Sequence, residues 1–128
     1  MSADLPSEKK SSILIVDDNR SVLVTLLLIL QQRGYEAAGV SSVAAALDHV
    51  CQHRPRLVIA DINLPDGNGV ELAIQVRTVS PETKLLLTSG DTSGSPELER
   101  ARQRGFDFEL VSKPVAPPEL LAKIDTLL

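Results

Sequence analysis

Short apolar runs alternate along the chain with longer stretches whose apolar residues recur at helical spacing. The runs are SILIV (12–16), YEAAGV (35–40), LVIA (57–60), KLLLT (84–88) and FELV (108–111). Between and after them the spacing predicts helices from about Arg20 to Arg33, Val43 to His53, Val70 to Val79, Pro96 to Arg104 and Pro117 to Leu128. Strands that read as unbroken apolar runs are buried on both faces, which calls for a parallel sheet with helices packed on either side. Right-handed crossovers turn this fivefold strand–helix alternation into a three-layer, doubly wound α/β domain. Gly34 and Gly105 stand where the first and fourth helices should end, and Pro117-Pro118 suits the first turn of the last.

Composition narrows the class. The 128 residues, 43% hydrophobic and 23% charged, are enough for one core and one job. No apolar run approaches the roughly 20 residues that cross a bilayer. The polar start lacks the apolar centre of a secretory signal, so residues 1–11 are expected to be a disordered lead-in and residues 12–128 the domain, in the cytoplasm. A net charge of −4, with three aromatic side chains in all (Tyr35, Phe106, Phe108), argues against direct nucleic-acid binding, which needs clustered cations and stacking platforms. The lone Cys51 excludes an internal disulfide and is read as a small packing residue. His49 and His53, four apart on the second helix, have no third metal ligand near them in the pattern and read as surface or partly packed residues.

In doubly wound sheets, ligands bind beyond the carboxyl ends of the strands. Four of the five expected strand ends carry polar chemistry there: Asp17-Asp18, Asp61, Thr88-Ser89-Gly90 and Ser112-Lys113-Pro114. Three carboxylates at one edge repel one another unless a cation shares the site. Magnesium, which takes oxygen ligands and leaves positions for phosphate oxygens, answers that need. The plainer alternative is that Asp17 and Asp18 cap the following helix and Asp61 is a turn residue ahead of the Pro- and Gly-rich loop 62–69. A carboxylate beside a metal and an ammonium is, however, a competent nucleophile for phosphoryl transfer, with Lys113 as the mobile charge and the Ser89 hydroxyl as a further donor.

The segments ILIVDDN, LVIADINLPDGNG, LLLTSGD and LVSKP, in this order over about Ser12 to Leu128, resemble the signatures of the response-regulator receiver family. The resemblance implies a flavodoxin-like (βα)5 domain with sheet order 2-1-3-4-5. It implies Asp61 as phosphoacceptor, Asp18 as direct Mg2+ ligand, Asp17 as ligand through water and Asn63 as ligand through its backbone carbonyl. Ser89 would be the switch hydroxyl, with Thr88 the alternative, and Lys113 the phosphate contact, followed by a cis bond to Pro114. Asn63 and Asp91 stand where the family tunes hydrolysis of the acyl phosphate. The implied partners are a sensor histidine kinase or phosphotransfer protein and a downstream protein target on the face of the fourth helix, fifth strand and fifth helix. Neither nucleic acid nor membrane is expected as a partner, and the chain should be a monomer or a weak phosphorylation-dependent dimer.

One departure is Leu110, where many receivers carry an aromatic; Phe108 lies on the same side of its strand by alternation. On the first helix, Val22, Leu26, Ile29, Leu30 and Arg33 form the expected inward stripe. Val24, Leu27 and Leu28 lie opposite, as a docking or dimerisation patch or as a second packed side. Competing readings are an aspartyl-phosphate phosphohydrolase and a degenerate receiver serving as a scaffold. The first needs a second acid where Asn63 stands; the second is at odds with the full set of acids, hydroxyl and lysine. A flavin site has only the fold in its favour. The expected context is a stand-alone regulator, which would catalyse only its own phosphotransfer and slow self-dephosphorylation, or else the excised C-terminal receiver of a hybrid kinase.

Overall fold

The computed structural model describes residues 10–90 and 96–128. Its elements are β1 (Lys10–Val16), α1 (Arg20–Gln32), β2 (Tyr35–Val40), α2 (Val43–His53), β3 (Leu57–Asp61), β4 (Asn63–Leu64), β5 (Gly67–Asn68), α3 (Gly69–Val79), β6 (Lys84–Ser89), α4 (Pro96–Gln103), β7 (Glu109–Ser112) and α5 (Pro117–Leu127). The main sheet is parallel in the order β2-β1-β3-β6-β7, which is the expected 2-1-3-4-5 once the short antiparallel ladder β4-β5 is set aside. That ladder, two residues long on each side, folds the loop after β3 back on itself and was not foreseen. Strand β1 begins at Lys10, two residues ahead of the expected domain start.

Pleating sends successive side chains to opposite faces. Ile13, Ile15, Leu57, Ile59, Leu86 and Val111 therefore meet α1 and α5 through Leu26, Leu30, Leu120 and Ile124. Leu14, Val16, Val58, Ala60, Leu85 and Leu87 meet α2, α3 and α4 through Val50, Leu72, Val76 and Leu98. Both faces of the sheet are thus buried, as the unbroken apolar runs required.

One expectation for α1 needs correction, and one open alternative is decided. Arg33 is exposed at the C-cap instead of lining the inward stripe, because the helix ends at Gln32 and the chain turns through Gly34 with φ 88°. Leu27 is half-buried and packs with Leu23 over β2. Gly39 permits this approach, since a Cβ there would lie 2.8 Å from Leu23 Cδ1 and 3.2 Å from Leu27 Cδ1. Of the outward patch only Val24 (43% exposed) and Leu28 (54% exposed) remain free. Cys51 is likewise exposed and not a packing residue.

The helix ends follow local chemistry. Asn19, Ser42 and Asn68 accept hydrogen bonds from the backbone N–H of Val22, Ala45 and Val70, capping α1, α2 and α3. Neither Asp17 nor Asp18 caps α1, which removes the bland reading of that pair. Gly105 (φ 93°) follows α4 as expected, whereas α2 ends on Arg54, a non-glycine residue with φ 45°.

Candidate functional site

The register of the parallel strands decides what meets at the carboxyl edge. Val16 lies opposite Ala60, Asp61 opposite Thr88 and Ser89 opposite Ser112, so the strand ends are level. Asp17, Asp61 and Lys113 share the strand phase of Ile15, Ile59 and Val111, on the α1–α5 side, and their side chains converge. Lys113 Nζ donates to Asp17 Oδ2 and to Asp61 Oδ2, both at 2.8 Å. The remaining oxygens also have partners: Asp17 Oδ1 accepts from the Asn19 N–H at 2.9 Å and Asp61 Oδ1 from the Asn63 N–H at 3.1 Å. Asp17 is 2% exposed and Asp61 8% exposed.

Burial opposes the charge on Lys113, but hydrogen bonds and attraction from Asp17 and Asp61 outweigh it and hold the ammonium above its usual 10.5. The lysine therefore stays charged throughout the physiological range. Its backbone N–H donates to Ser89 O at 2.8 Å, which ties β7 to the end of β6. The Lys113-Pro114 bond is cis, as expected.

Asp18 is exposed and takes no hydrogen bond from any described residue. One oxygen of each of Asp17, Asp18 and Asp61 lies within 4.8 Å of the other two. Three carboxylates against one ammonium leave two negative charges uncompensated, and every donor is a hard oxygen, so the set fits an oxygen-preferring divalent cation. A stability test follows from the same charge count. Asp18→Asn should raise the melting temperature of the metal-free chain, a gain of a few tenths to about 1 kcal/mol by relief of repulsion. It should also abolish the further rise that a divalent cation gives the wild type. Thermal melts with and without the cation check both signs.

The loop from Ile62 to Asn68 is held tightly. Gly69 N–H donates to Ile62 O at 2.7 Å, and a Cβ on Gly69 would overlap the Asp61 carbonyl oxygen. Asp66, which sequence reasoning passed over, reaches the N-terminus of α2: its Oδ1 accepts from Val43 N–H at 2.8 Å and its Oδ2 from Ala44 N–H at 3.1 Å. Those backbone hydrogen bonds, Val43 first, lower its pKa below the ordinary 3.8. A depressed carboxylate pKa adds stability above the unfolded value and loses it as pH falls through the folded one. The stability difference between wild type and Asp66→Ala should thus be full above pH 3.8 and shrink below it, as denaturant titrations across that range would show. An Asp between Pro and Gly carries no local sign of such a cap, because its partners are 22 and 23 residues away.

Thr88 and Ser89 are both buried at the end of β6, and Asn63 is exposed at the start of β4. Asp91 lies outside the described residues. Phe108 is buried and Leu110 half-buried on the α2–α3–α4 side, so they share a face as expected; Phe108 stacks on Phe106, centroids 6.1 Å apart. His49 and His53 stand 4.4 Å apart, centroid to centroid, and no group of three potential ligands among the described residues includes them.

Fold and pocket together define a doubly wound α/β domain with a lysine-clamped acidic edge. Residues 13–125 match the family model of the response regulator receiver domain. The transcriptional regulatory protein CreB of Escherichia coli (strain K12) is 30% identical over 122 residues, covering 94% of this chain and 52% of that protein. The chain spans about half the length of the curated relatives it matches. A CheY-like receiver domain structure from Methanospirillum hungatei JF-1 superposes with a TM-score of 0.83 at 30% identity, covering 91% of this chain and 93% of that one. Chemotaxis response regulator CheY4 of Vibrio cholerae gives 0.82 at 27% identity, with 94% and 100% coverage. The chain belongs to the response regulator receiver domain family. Receiver domains bind a divalent metal in an acidic cluster, the arrangement formed here by Asp17, Asp18 and Asp61. No described helix is long and apolar enough to cross a membrane.

Proposed function

We propose that the chain is a cytoplasmic phosphorylation switch in which Asp61 accepts a phosphoryl group from a phosphohistidine of a sensor kinase or phosphotransfer protein. The observation that carries this reading is the pair of 2.8 Å hydrogen bonds from Lys113 to Asp17 and Asp61, with Asp18 open beside them. A carboxylate oxygen of Asp61 attacks phosphorus, the P–N bond breaks, and its electron pair returns to the donor imidazole. Lys113 has three N–H donors and spends two on the carboxylates, so the third serves a phosphoryl oxygen. Ser89 at the end of β6 donates its hydroxyl to another. Asp18 directly, Asp17 through water, Asp61 and the Asn63 carbonyl would hold Mg2+, which when bound neutralises charge on the transferring group.

The new group adds charge and acceptor oxygens where Ser89 and Lys113 are already joined through the backbone. Output runs through the α4–β7–α5 face to a protein partner, by packing shifts around Phe108 and Leu110 instead of an aromatic rotamer. The net charge of −4 favours a protein partner over direct DNA contact by this domain, although relatives such as MtrA are DNA-binding response regulators. Slow self-hydrolysis, tuned at Asn63 and Asp91, resets the switch. Incubation with a small acyl-phosphate donor should incorporate one phosphoryl group per chain only when Mg2+ is present. Beryllofluoride should bind under the same condition. Sustained multiple-turnover release of phosphate from simple monoesters would instead mark a phosphohydrolase and overturn the reading.

A further inference from the structure

The corner between β2 and α2 touches the acidic site on two sides. Val40 O accepts the backbone N–H of Asp17 at 3.1 Å, which fixes one flank of the carboxylate cluster. Three residues on, the Val43 and Ala44 N–H groups hold both carboxylate oxygens of Asp66. Val43 also stands close over the loop, since a Cβ on Gly67 would sit only 3.2 Å from Val43 Cγ2. Leu64 and Val43 pack against the same core cluster. From Asp66 the route to the site is short. The β4-β5 ladder pairs Leu64 with Gly67 and Asn63 with Asn68, and the Asn63 N–H bonds Asp61 Oδ1 at 3.1 Å.

We infer that Asp66 is a positioning residue for the metal side of this site: by tying the loop to the start of α2, it sets where the Asn63 backbone stands relative to Asp17, Asp18 and Asp61. The inference rests on the reading of those acids as a Mg2+ site. Asp66 touches neither metal nor phosphoryl group; it acts through the loop. A backbone carbonyl has no rotamer with which to recover its aim, so a loose loop costs affinity directly. Ser42 offers a matched comparison, because its hydroxyl caps the same helix through the Ala45 N–H at 3.1 Å and makes no hydrogen bond to the loop.

The test is a Mg2+ titration of the full chain followed by NMR at the Asn63 and Gly69 amides, on wild type, Asp66→Ala, Asp66→Asn and Ser42→Ala. Asp66→Ala should weaken Mg2+ about tenfold, the lower end of what outer-shell partners of metal ligands contribute. Asp66→Asn, which keeps one acceptor oxygen and the shape of the side chain, should recover part of that loss and covers the case in which the alanine variant folds poorly. Ser42→Ala should lower the melting temperature and leave the Mg2+ affinity at the wild-type value. Wild-type affinity in both Asp66 variants, or an equal loss in Ser42→Ala, would overturn the inference alone. A wild-type chain that takes no Mg2+ would overturn the reading of the site and this inference with it.

Discussion

Asp61→Asn is expected to cut Mg2+-dependent phosphoryl incorporation by about a thousandfold or more, to background, while leaving a folded chain. The amide preserves the shape of the side chain but removes the anionic oxygen that attacks phosphorus. It also removes one of the two carboxylates that hold Lys113, which keeps its 2.8 Å bond to Asp17 and so remains paired. Thermal melting separates loss of chemistry from loss of fold. Hydroxylamine-sensitive label that persists on the variant would place the acceptor elsewhere, and with it the proposed function.

The largest effect on stability is expected from Gly69→Ala. The added methyl would collide with the Asp61 carbonyl oxygen and approach the Asp61 carbonyl carbon and Ile62 Cα to 2.9 Å. All three are backbone atoms with no rotamer to change, so either the loop or the end of β3 must move. A cost of about 3 kcal/mol or more follows, a large part of the 5–15 kcal/mol that holds a typical domain. Gly90→Ala is the control: no atom of the described residues lies within 4 Å of its Cβ position, and the change should stay within about 0.5 kcal/mol. Urea denaturation of both variants decides the matter, and equal midpoints would refute the steric argument. Any Gly69→Ala chain that folds should also bind Mg2+ poorly, because the displaced backbone carries Asp61.

The fold was legible because its elements are written in local periodicities. Five apolar runs and five helical stretches, with Gly34 and Gly105 as stops, account for every main-sheet strand and every helix among the described residues. The gathering of the acids and the lysine was legible because a doubly wound sheet delivers the residues after its strands to one edge. The sequence left matters open where a residue's fate depends on a neighbour far along the chain. Leu27 faces outward on a helical wheel but packs over β2 because Gly39 has no side chain to prevent it. The β4-β5 ladder joins segments too short to carry a strand pattern.

Periodicity, breakers and motif order along the chain thus suffice for the α/β architecture, the identity of the acidic pocket residues and the family they resemble, since each is set by composition within a few residues or by the geometry of the strands. Folding alone establishes that Lys113 bridges two carboxylates while Asp18 stays open, and that Asp66 anchors the loop to α2. The lysine bridge and the Asp66 anchor join groups that lie 22 to 96 residues apart, chosen by packing after the strands are in register, and no local pattern in the chain encodes them.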